Sequence, residues 1–317
     1  MRRPAAARTR RWTALATRLV PVLIALAAAA ALADCASATT TDAAPAAPTT
    51  ARAAGRDAPA ATSVTKLLVF VVENHSLHQM RAGMPWLSDL ADQYGYATRY
   101  GAITHPSLPN YLAIAGGDTF GIADDSRPAD HPIRRPSVFG RAVRAGSTAT
   151  TYAEGMTSRC QQADGGEYAV RHNPWAYFRS ERRLCRQHDV PLRALQGDID
   201  GGTLPQVGLV VPDVCNDAHD CTLATADVWL RRHVGRVLDG PDFTSGRLAV
   251  VVTADEDDRH HGNRVLTVVA HPSLDGVIVG RALTHYALSR SYAEVAGVDP
   301  VGHAADARSL LRVFGLE

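Results

Sequence analysis

Three apolar runs in this 317-residue chain stop at acidic or amide residues. Residues 67–72 lead into Glu73 and Asn74. Residues 208–211 lead into a loop that holds Asp213, Asp217 and His219. Residues 250–253 lead into Asp255, Glu256, Asp257 and Asp258. Carboxylates are costly to crowd together or to bury without a counter-charge. A divalent cation supplies one. Oxygen and imidazole donors suit zinc, manganese or iron, or, with more oxygens, calcium or magnesium. Asp257 and Asp258 read as a solvated loop end. Asp255 and Glu256, next to the apolar run, read as ligands. His219 alone would be an ordinary loop histidine, but it shares its short loop with Asp213 and Asp217.

The second chemical stretch is THPSLPNYLAIAGG, residues 104–117. Residues 108–115 have helical character, with Pro109 near the first turn and two glycines at the end. Ser107 then sits near a helix N-terminus, where backbone N–H groups and the dipole favour an anion. Its hydroxyl suits a simple N-cap. Beside a cation the same hydroxyl is activated as a nucleophile. Asn110, about one turn on, is placed to donate to a phosphoryl oxygen, and His105 precedes the turn.

These residues need a scaffold that brings distant strand ends together. Strands are expected at residues 66–72, 148–154, 206–211, 248–253 and 265–270. Helices are expected at 84–94, 137–145, 222–238 and 284–296. Such alternation implies an α/β fold with a mostly parallel central sheet sandwiched between helices. In such sheets ligands bind beyond the carboxyl ends of the strands, where Glu73, Asp217 and Asp255 fall.

The composition, 46% hydrophobic and 21% charged, supports one sizeable core. The N-terminus reads as an export signal over residues 1–33: five arginines, then an apolar stretch too short to span a membrane, then Ala31-Leu32-Ala33. Residues 34–64, rich in Ala, Thr and Pro, read as a linker, and residues 65–317 as the folded domain. Cys35 raises lipidation, but Asp34 stands where a lipoprotein site takes a small residue, which favours simple cleavage. Losing residues 1–33 removes six arginines and no acid, so the formal charge falls from +1 to −5. That balance speaks against nucleic-acid binding. No stable membrane span is expected after processing, and a monomer is expected. Cys160, Cys185, Cys215 and Cys221 remain, an even number in an exported chain. The two shortest loops favour Cys160–Cys185 and Cys215–Cys221. A zinc ligand role for Cys215 beside His219 is the alternative that export disfavours.

Eight segments, VVENHS, THPSLPNYLAIAGG, YAEGM, RHNPWAYF, VPDVCNDAHDC, ADVWL, VVTADEDD and LTHYALSRS, keep the order of a known family. The chain resembles the phosphoesterase family of bacterial acid phosphatases and phospholipases C, a branch of the alkaline-phosphatase-like superfamily. Within it, the likeness is greatest to secreted actinobacterial acid phosphatases acting on phosphatidylinositol 3-phosphate. The resemblance implies Ser107 as nucleophile beside one or two divalent metal ions. It puts Glu73, Asn74, Asp255, Glu256 and His285 on metal-ligand positions. Asp217 and His219 fall on the remaining metal or phosphate-contact positions, the register between Asp213 and Asp217 staying open. The disulfide pairs fit the family too. Two departures stand out: Arg259-His260-His261 replaces a glycine, and Leu77-His78 stands where many members have Phe-Asp.

The implied activity is metal-dependent hydrolysis of a phosphomonoester, with His105 or His219 protonating the leaving oxygen. Two other readings are a phospholipase C cutting phosphodiester lipids and a non-catalytic surface module that binds phosphorylated ligands. The compact chain leans toward the monoesterase, and the retained Ser107 with Asp255-Glu256 leans against the module.

Overall fold

The apolar run before Glu73 is the middle of the sheet. The computed structural model describes residues 63–317. The expected leader, the Cys35 site and nearly all of the linker lie outside these residues.

In chain order the strands are β1 (Lys66–Val72), β2 (Gly95–Ala97), β3 (Tyr100–Gly101), β4 (Ala149–Ala153), β5 (Asp189–Pro191), β6 (Val207–Val211), β7 (Leu248–Ala254), β8 (Thr267–Ala270), β9 (Val277–Val279) and β10 (Leu283–Thr284). Eight of them form one sheet in the order β5-β4-β6-β1-β7-β8-β2-β9, while β3 and β10 pair separately. β1 pairs in parallel with β6 on one side and β7 on the other. Strands buried on both faces carry unbroken apolar runs. β6 and β7 are buried along their whole length, and so is β1 after Lys66.

The helices are α1 (Leu77–Gly83), α2 (Pro85–Gln93), α3 (Ser107–Gly116), α4 (Val138–Arg144), α5 (Arg182–His188), α6 (Leu195–Asp200), α7 (Leu223–Asp239), α8 (Pro241–Thr244), α9 (His285–Val295) and α10 (Leu310–Val313). α3, α4 and α9 pack together, as do α1, α2 and α7. The α/β architecture expected from the sequence is therefore present. One strand departs from the parallel pattern: β8 runs antiparallel to both β7 and β2. A parallel return needs a crossover, usually a helix. The chain between β7 and β8 contains none, so it turns straight back.

Because β6, β1 and β7 are adjacent and parallel, their carboxyl ends share one edge. The loops there are tied together: the Glu73 N–H donates to the Asp217 carbonyl at 2.8 Å, and the Asp255 N–H to the Val72 carbonyl at 3.0 Å. Both expected disulfides form, Cys160–Cys185 with Cα atoms 5.3 Å apart and Cys215–Cys221 with 4.7 Å. The second closes the loop that carries Asp217.

A buried carboxylate anchors the neighbouring irregular segment. Asn173 Nδ2 donates to both oxygens of Asp189, at 3.1 and 2.9 Å, and so fixes the turn that presents His172. Burial pushes the Asp189 carboxyl up to about 7, against an ordinary value near 3.8. A carboxyl raised in the folded state contributes stability that is complete below about pH 4 and is lost as pH rises through about 7. An Asp189→Asn variant lacks this titration. Its thermal midpoint is expected to fall less between pH 5 and pH 8.5 than that of the unaltered protein. Identical midpoint profiles for the two proteins would show that Asp189 carries no such burden.

Candidate metal centre and active site

Glu73 lies at the centre of the converging side chains and is fully buried. Ser107 Oγ donates to Glu73 Oε2 at 3.0 Å, and the Tyr111 hydroxyl donates to Glu73 Oε1 at 3.0 Å. Both come from the first turns of α3, four residues apart and hence on one helix face. The N-cap of α3 is Pro106, with no side-chain cap. The Ser107 hydroxyl is thus not spent on capping; it points at a carboxylate. One helix-end N–H is already satisfied, since Leu108 N–H donates to Asp125 Oδ1 at 2.9 Å.

His172 is the member of the cluster that sequence reasoning missed. It comes from the RHNPWAYF segment, residues 171–178, one of the eight that carry the family resemblance. Its Nε2 lies 3.1 Å from Glu73 Oε1 and its Nδ1 lies 3.1 Å from Asp217 Oδ2. The ring stacks on Tyr111, with centroids 5.2 Å apart and planes 13° apart. Tyr111 was also missed; its spacing from Ser107 was the available signal.

The remaining expected residues divide. Asp255 and Glu256 stand at the end of β7, both buried, with Asp255 electrostatically coupled to Glu73. Asp217 faces His172, whereas Asp213 Oδ1 accepts the N–H groups of Cys215 and Asn216 and shapes the loop. Asn74 is half-buried at the bend after Glu73. Asn110 serves the turn before α3: its Oδ1 accepts from Ile103 and Thr104, and its Nδ2 lies within 3.2 Å of Glu256 Oε2. His105 bridges two acids, Nδ1 at 3.0 Å from Glu256 and Nε2 at 3.2 Å from Asp257.

His285 and His219 have other partners and are not part of the Glu73–His172–Asp217 group. His285 Nε2 is 2.6 Å from the Asp255 carbonyl and its Nδ1 is 3.2 Å from the Tyr100 hydroxyl. A carbonyl only accepts, so Nε2 carries the proton and Nδ1 receives the Tyr100 O–H. In this arrangement His285 holds the main chain of Asp255 and does not join Glu73, His172 and Asp217. His219 sits at the rim, with Nδ1 2.7 Å from Asp220 Oδ1 and Nε2 3.4 Å from Arg171 Nη2.

The Phosphoesterase family model matches residues 65–288, most of the chain. The chain belongs to the Phosphoesterase family. A phosphatidylinositol-3-phosphatase from Mycobacterium tuberculosis is 28% identical over 82% of this chain and 86% of its own length. A probable acid phosphatase from Kluyveromyces lactis is 30% identical over 67% of this chain, and a phosphate-repressible acid phosphatase from Penicillium chrysogenum is 28% identical over 72%. This phosphoesterase spans 52% and 58% of those two fungal proteins. Among solved structures, an alkaline phosphatase superfamily protein from Vibrio parahaemolyticus aligns with a TM-score of 0.54 at 12% identity, covering 78% of this chain and 71% of that one. A Pseudoalteromonas sulfatase aligns at 0.51 and 10% identity, over 79% and 71%. These two likenesses concern the fold.

The phosphoesterase cluster fits a cation on its own chemistry. Ligand atoms of Glu73, His172 and Asp217 all lie within 4.8 Å of one another. Both His172 nitrogens, Asp217 Oδ2 and Asp255 Oδ2 are buried, yet none completes a hydrogen bond. Buried polar atoms of this kind ordinarily have partners. Among the described residues no lysine or arginine lies within ion-pair distance of Glu73, Asp217, Asp255 or Glu256. Burial, then the charges of Asp255 and Asp217, drive the Glu73 carboxyl well above its usual range. Burial, then Glu256, does the same to Asp255. Burial lifts Asp217 to about 7 and Glu256 to about 8. Burial also drives His172 well below its ordinary value, so its ring is neutral and free to ligate.

A cation bound only by the folded state stabilises it by mass action, about 2.7 kcal/mol at a hundred times the dissociation constant. For a domain of this size that is a rise of roughly 5–10 °C in melting temperature. Chelator-treated protein is expected to show such a rise with at least one of Zn, Mn, Ca or Mg. Asp217→Asn combined with His172→Ala is expected to abolish it. A midpoint indifferent to all four ions would remove the case for a metal here.

Proposed function

We propose that the protein is an exported, metal-dependent acid phosphatase that hydrolyses phosphate monoesters with Ser107 as nucleophile. The observation that carries this reading is the Ser107 hydroxyl. It is almost wholly buried at the first turn of α3 and donates to Glu73 inside the carboxylate–histidine cluster. The acid phosphatases among its relatives support the reaction class. The two disulfides support export.

In this reading Ser107 Oγ attacks phosphorus as the bond to the leaving oxygen breaks. The product is a phosphoserine and an alcohol. A divalent cation held by Glu73, His172, Asp217 and Asp255, with Asn74 and Glu256 close by, would favour the serine alkoxide and neutralise phosphoryl oxygens. Glu73 aims the hydroxyl, and Tyr111, bonded to the other oxygen of the same carboxylate, keeps Glu73 from rotating. His219, held through Nδ1 by Asp220, is the candidate donor to the leaving oxygen, a role that requires a proton on Nε2 in place of its 3.4 Å contact with the Arg171 guanidinium. His105, enclosed by Glu256 and Asp257, is the less accessible donor. Water then breaks the Ser107 O–P bond and releases inorganic phosphate. Phosphatidylinositol 3-phosphate is a candidate substrate through the mycobacterial relative.

Ser107→Ala removes one hydroxyl and leaves the carboxylates in place. Turnover of p-nitrophenyl phosphate is expected to fall on the order of 10³-fold or more, with the melting temperature within a few degrees of the unaltered protein. Turnover near the original level in a folded variant would refute the assignment.

A further inference from the structure

The stretch from Arg179 to Arg193 carries five arginines and two carboxylates. Both carboxylates are turned inward and already engaged. Glu181 accepts from Ser137 and Trp175 and pairs with Arg144, while Asp189 is held by Asn173. The arginines face outward: Arg179, Arg183, Arg186 and Arg193 are exposed and Arg182 is half-buried. Among the described residues no carboxylate lies within ion-pair distance of any of the five. In a chain whose expected mature charge is −5, this unneutralised run stands out.

Arg179, Arg182 and Arg186 recur at the spacing of one helix face, with Arg179 in the 3₁₀ turn that leads directly into α5. They lie close enough to repel: burial, then Arg186 and Arg179, lowers the Arg182 guanidinium below its ordinary range. Arg159 donates from Nη1 to the Gln187 carbonyl and so brings a fourth exposed guanidinium to the far end of the helix. The row begins in a concavity of about 380 Å³, lined by Pro128, Ala129, Pro132, Gln162, Arg179 and Arg182. That lining holds two cations and no carboxylate. Asp130, next to Ala129 in the chain, pairs with Arg127 at 3.7 Å. The walls are fixed in place. The Cys160–Cys185 disulfide ties the loop of Gln162 to α5, and the Arg179 N–H donates to the Ile133 carbonyl at 2.8 Å. Arg182 Nη1 donates to the Ala176 carbonyl at 3.0 Å, which aims the side chain.

Guanidinium groups match phosphate oxygens in charge and in forked geometry. Two of them at one concavity, followed by two more along the helix, call for several anionic groups in sequence. Arg182 and Arg186 stand about 6 Å apart along the helix axis, so those groups must be closely spaced. Nucleic acid is a poorer fit, because bases need exposed rings to stack on and Trp175, Tyr177 and Phe178 beside the row are buried. A bilayer is a poorer fit too. The surface is concave, and the large exposed aliphatic side chains among the described residues, Val228 and Ile278, lie away from it on α7 and β9.

We propose that the Arg179–Arg182 concavity and the row continuing through Arg186 and Arg159 bind a linear polyphosphate chain. This binding does not depend on the phosphatase reading, and it places the partner at the β5 edge of the sheet, into which α5 leads.

The test uses the whole protein and trace end-labelled inorganic polyphosphate, with orthophosphate in excess so that the Ser107 cleft is occupied by the smaller ion. A saturable rise in anisotropy is expected. Arg179 and Arg186 are exposed and make no side-chain hydrogen bond, so their joint replacement, Arg179→Gln with Arg186→Gln, is expected to leave the melting temperature unchanged. It is expected to raise the dissociation constant at least ~10-fold and to lower the slope of its logarithm against log salt by roughly 1.4, about 0.7 for each lost phosphate contact. Arg281→Gln, after β9 at the opposite edge of the sheet, is expected to change neither. Absence of saturable binding, or an equal loss in Arg281→Gln, overturns the site. Binding abolished by the orthophosphate overturns the chain in favour of a single ion. Tighter binding of phosphatidylglycerol vesicles or of poly(dT) than of polyphosphate overturns the choice of partner.

Discussion

Four carboxylates, Glu73, Asp217, Asp255 and Glu256, are buried together at the edge of an apolar sheet, and among the described residues none has an arginine or lysine within ion-pair distance. Each ionised carboxylate moved out of water costs several kcal/mol unless it is compensated. The fold offers only partial relief. Ser107 and Tyr111 donate to Glu73, while His172 touches two of the acids without completing a hydrogen bond to either. Asn110 and His105 meet Glu256, and the N–H groups of His219 and Glu256 donate to Asp217 and Asp255, yet burial still displaces all four carboxyls upward. A structure that spends stability in this way concentrates the strain where charge must be handled.

The scaffold sustains that cost through rigidity. β1 lies between β6 and β7 and is buried on both faces, so the positions of its terminal residues are fixed by packing. Backbone hydrogen bonds stitch Glu73 to Asp217 and Asp255 to Val72. His285 grips the Asp255 carbonyl from α9, and Asp189 grips Asn173 beside His172. Each functional side chain is therefore backed by a second residue whose own place is set by a helix, a strand or a buried pair. Such support is what keeps a constellation of groups within the narrow tolerance that chemistry requires.

The sheet and most of the acidic strand ends were legible because a central parallel strand has a blunt signature, an unbroken apolar run that stops at a polar residue; Asp257, read as a solvated loop end, is instead buried and accepts the N–H groups of Arg259, His261 and Asn263. The first strand at 66–72 and the acids after it could be read directly. Several short elements could not: α1 and α5, at seven residues each, show too little of a helical period to stand out, although the equally short α4 was expected at 137–145. The antiparallel direction of β8 depends on the missing crossover, which an apolar run does not announce. His172 was illegible for a different reason. It lies in a 3₁₀ turn, far along the chain from Glu73, and only the folded chain brings its two nitrogens between two acids. For His285 the residue type was clear but its orientation was not, because spacing says nothing about which ring nitrogen faces what.

The Asp213–Cys221 segment explains how one edge of the sheet can hold two unlike environments. On one side Asp217 turns its carboxylate toward His172. On the other, Asn216 lines a concavity along α7 and bonds to Glu154. A flexible loop would let charge and water pass between the two. Here the Cys215–Cys221 bond, the Asp213 turn and the Glu154 carboxylate fix the same few residues from three directions. The segment is therefore held from several sides, which keeps the Asp217 carboxylate facing His172.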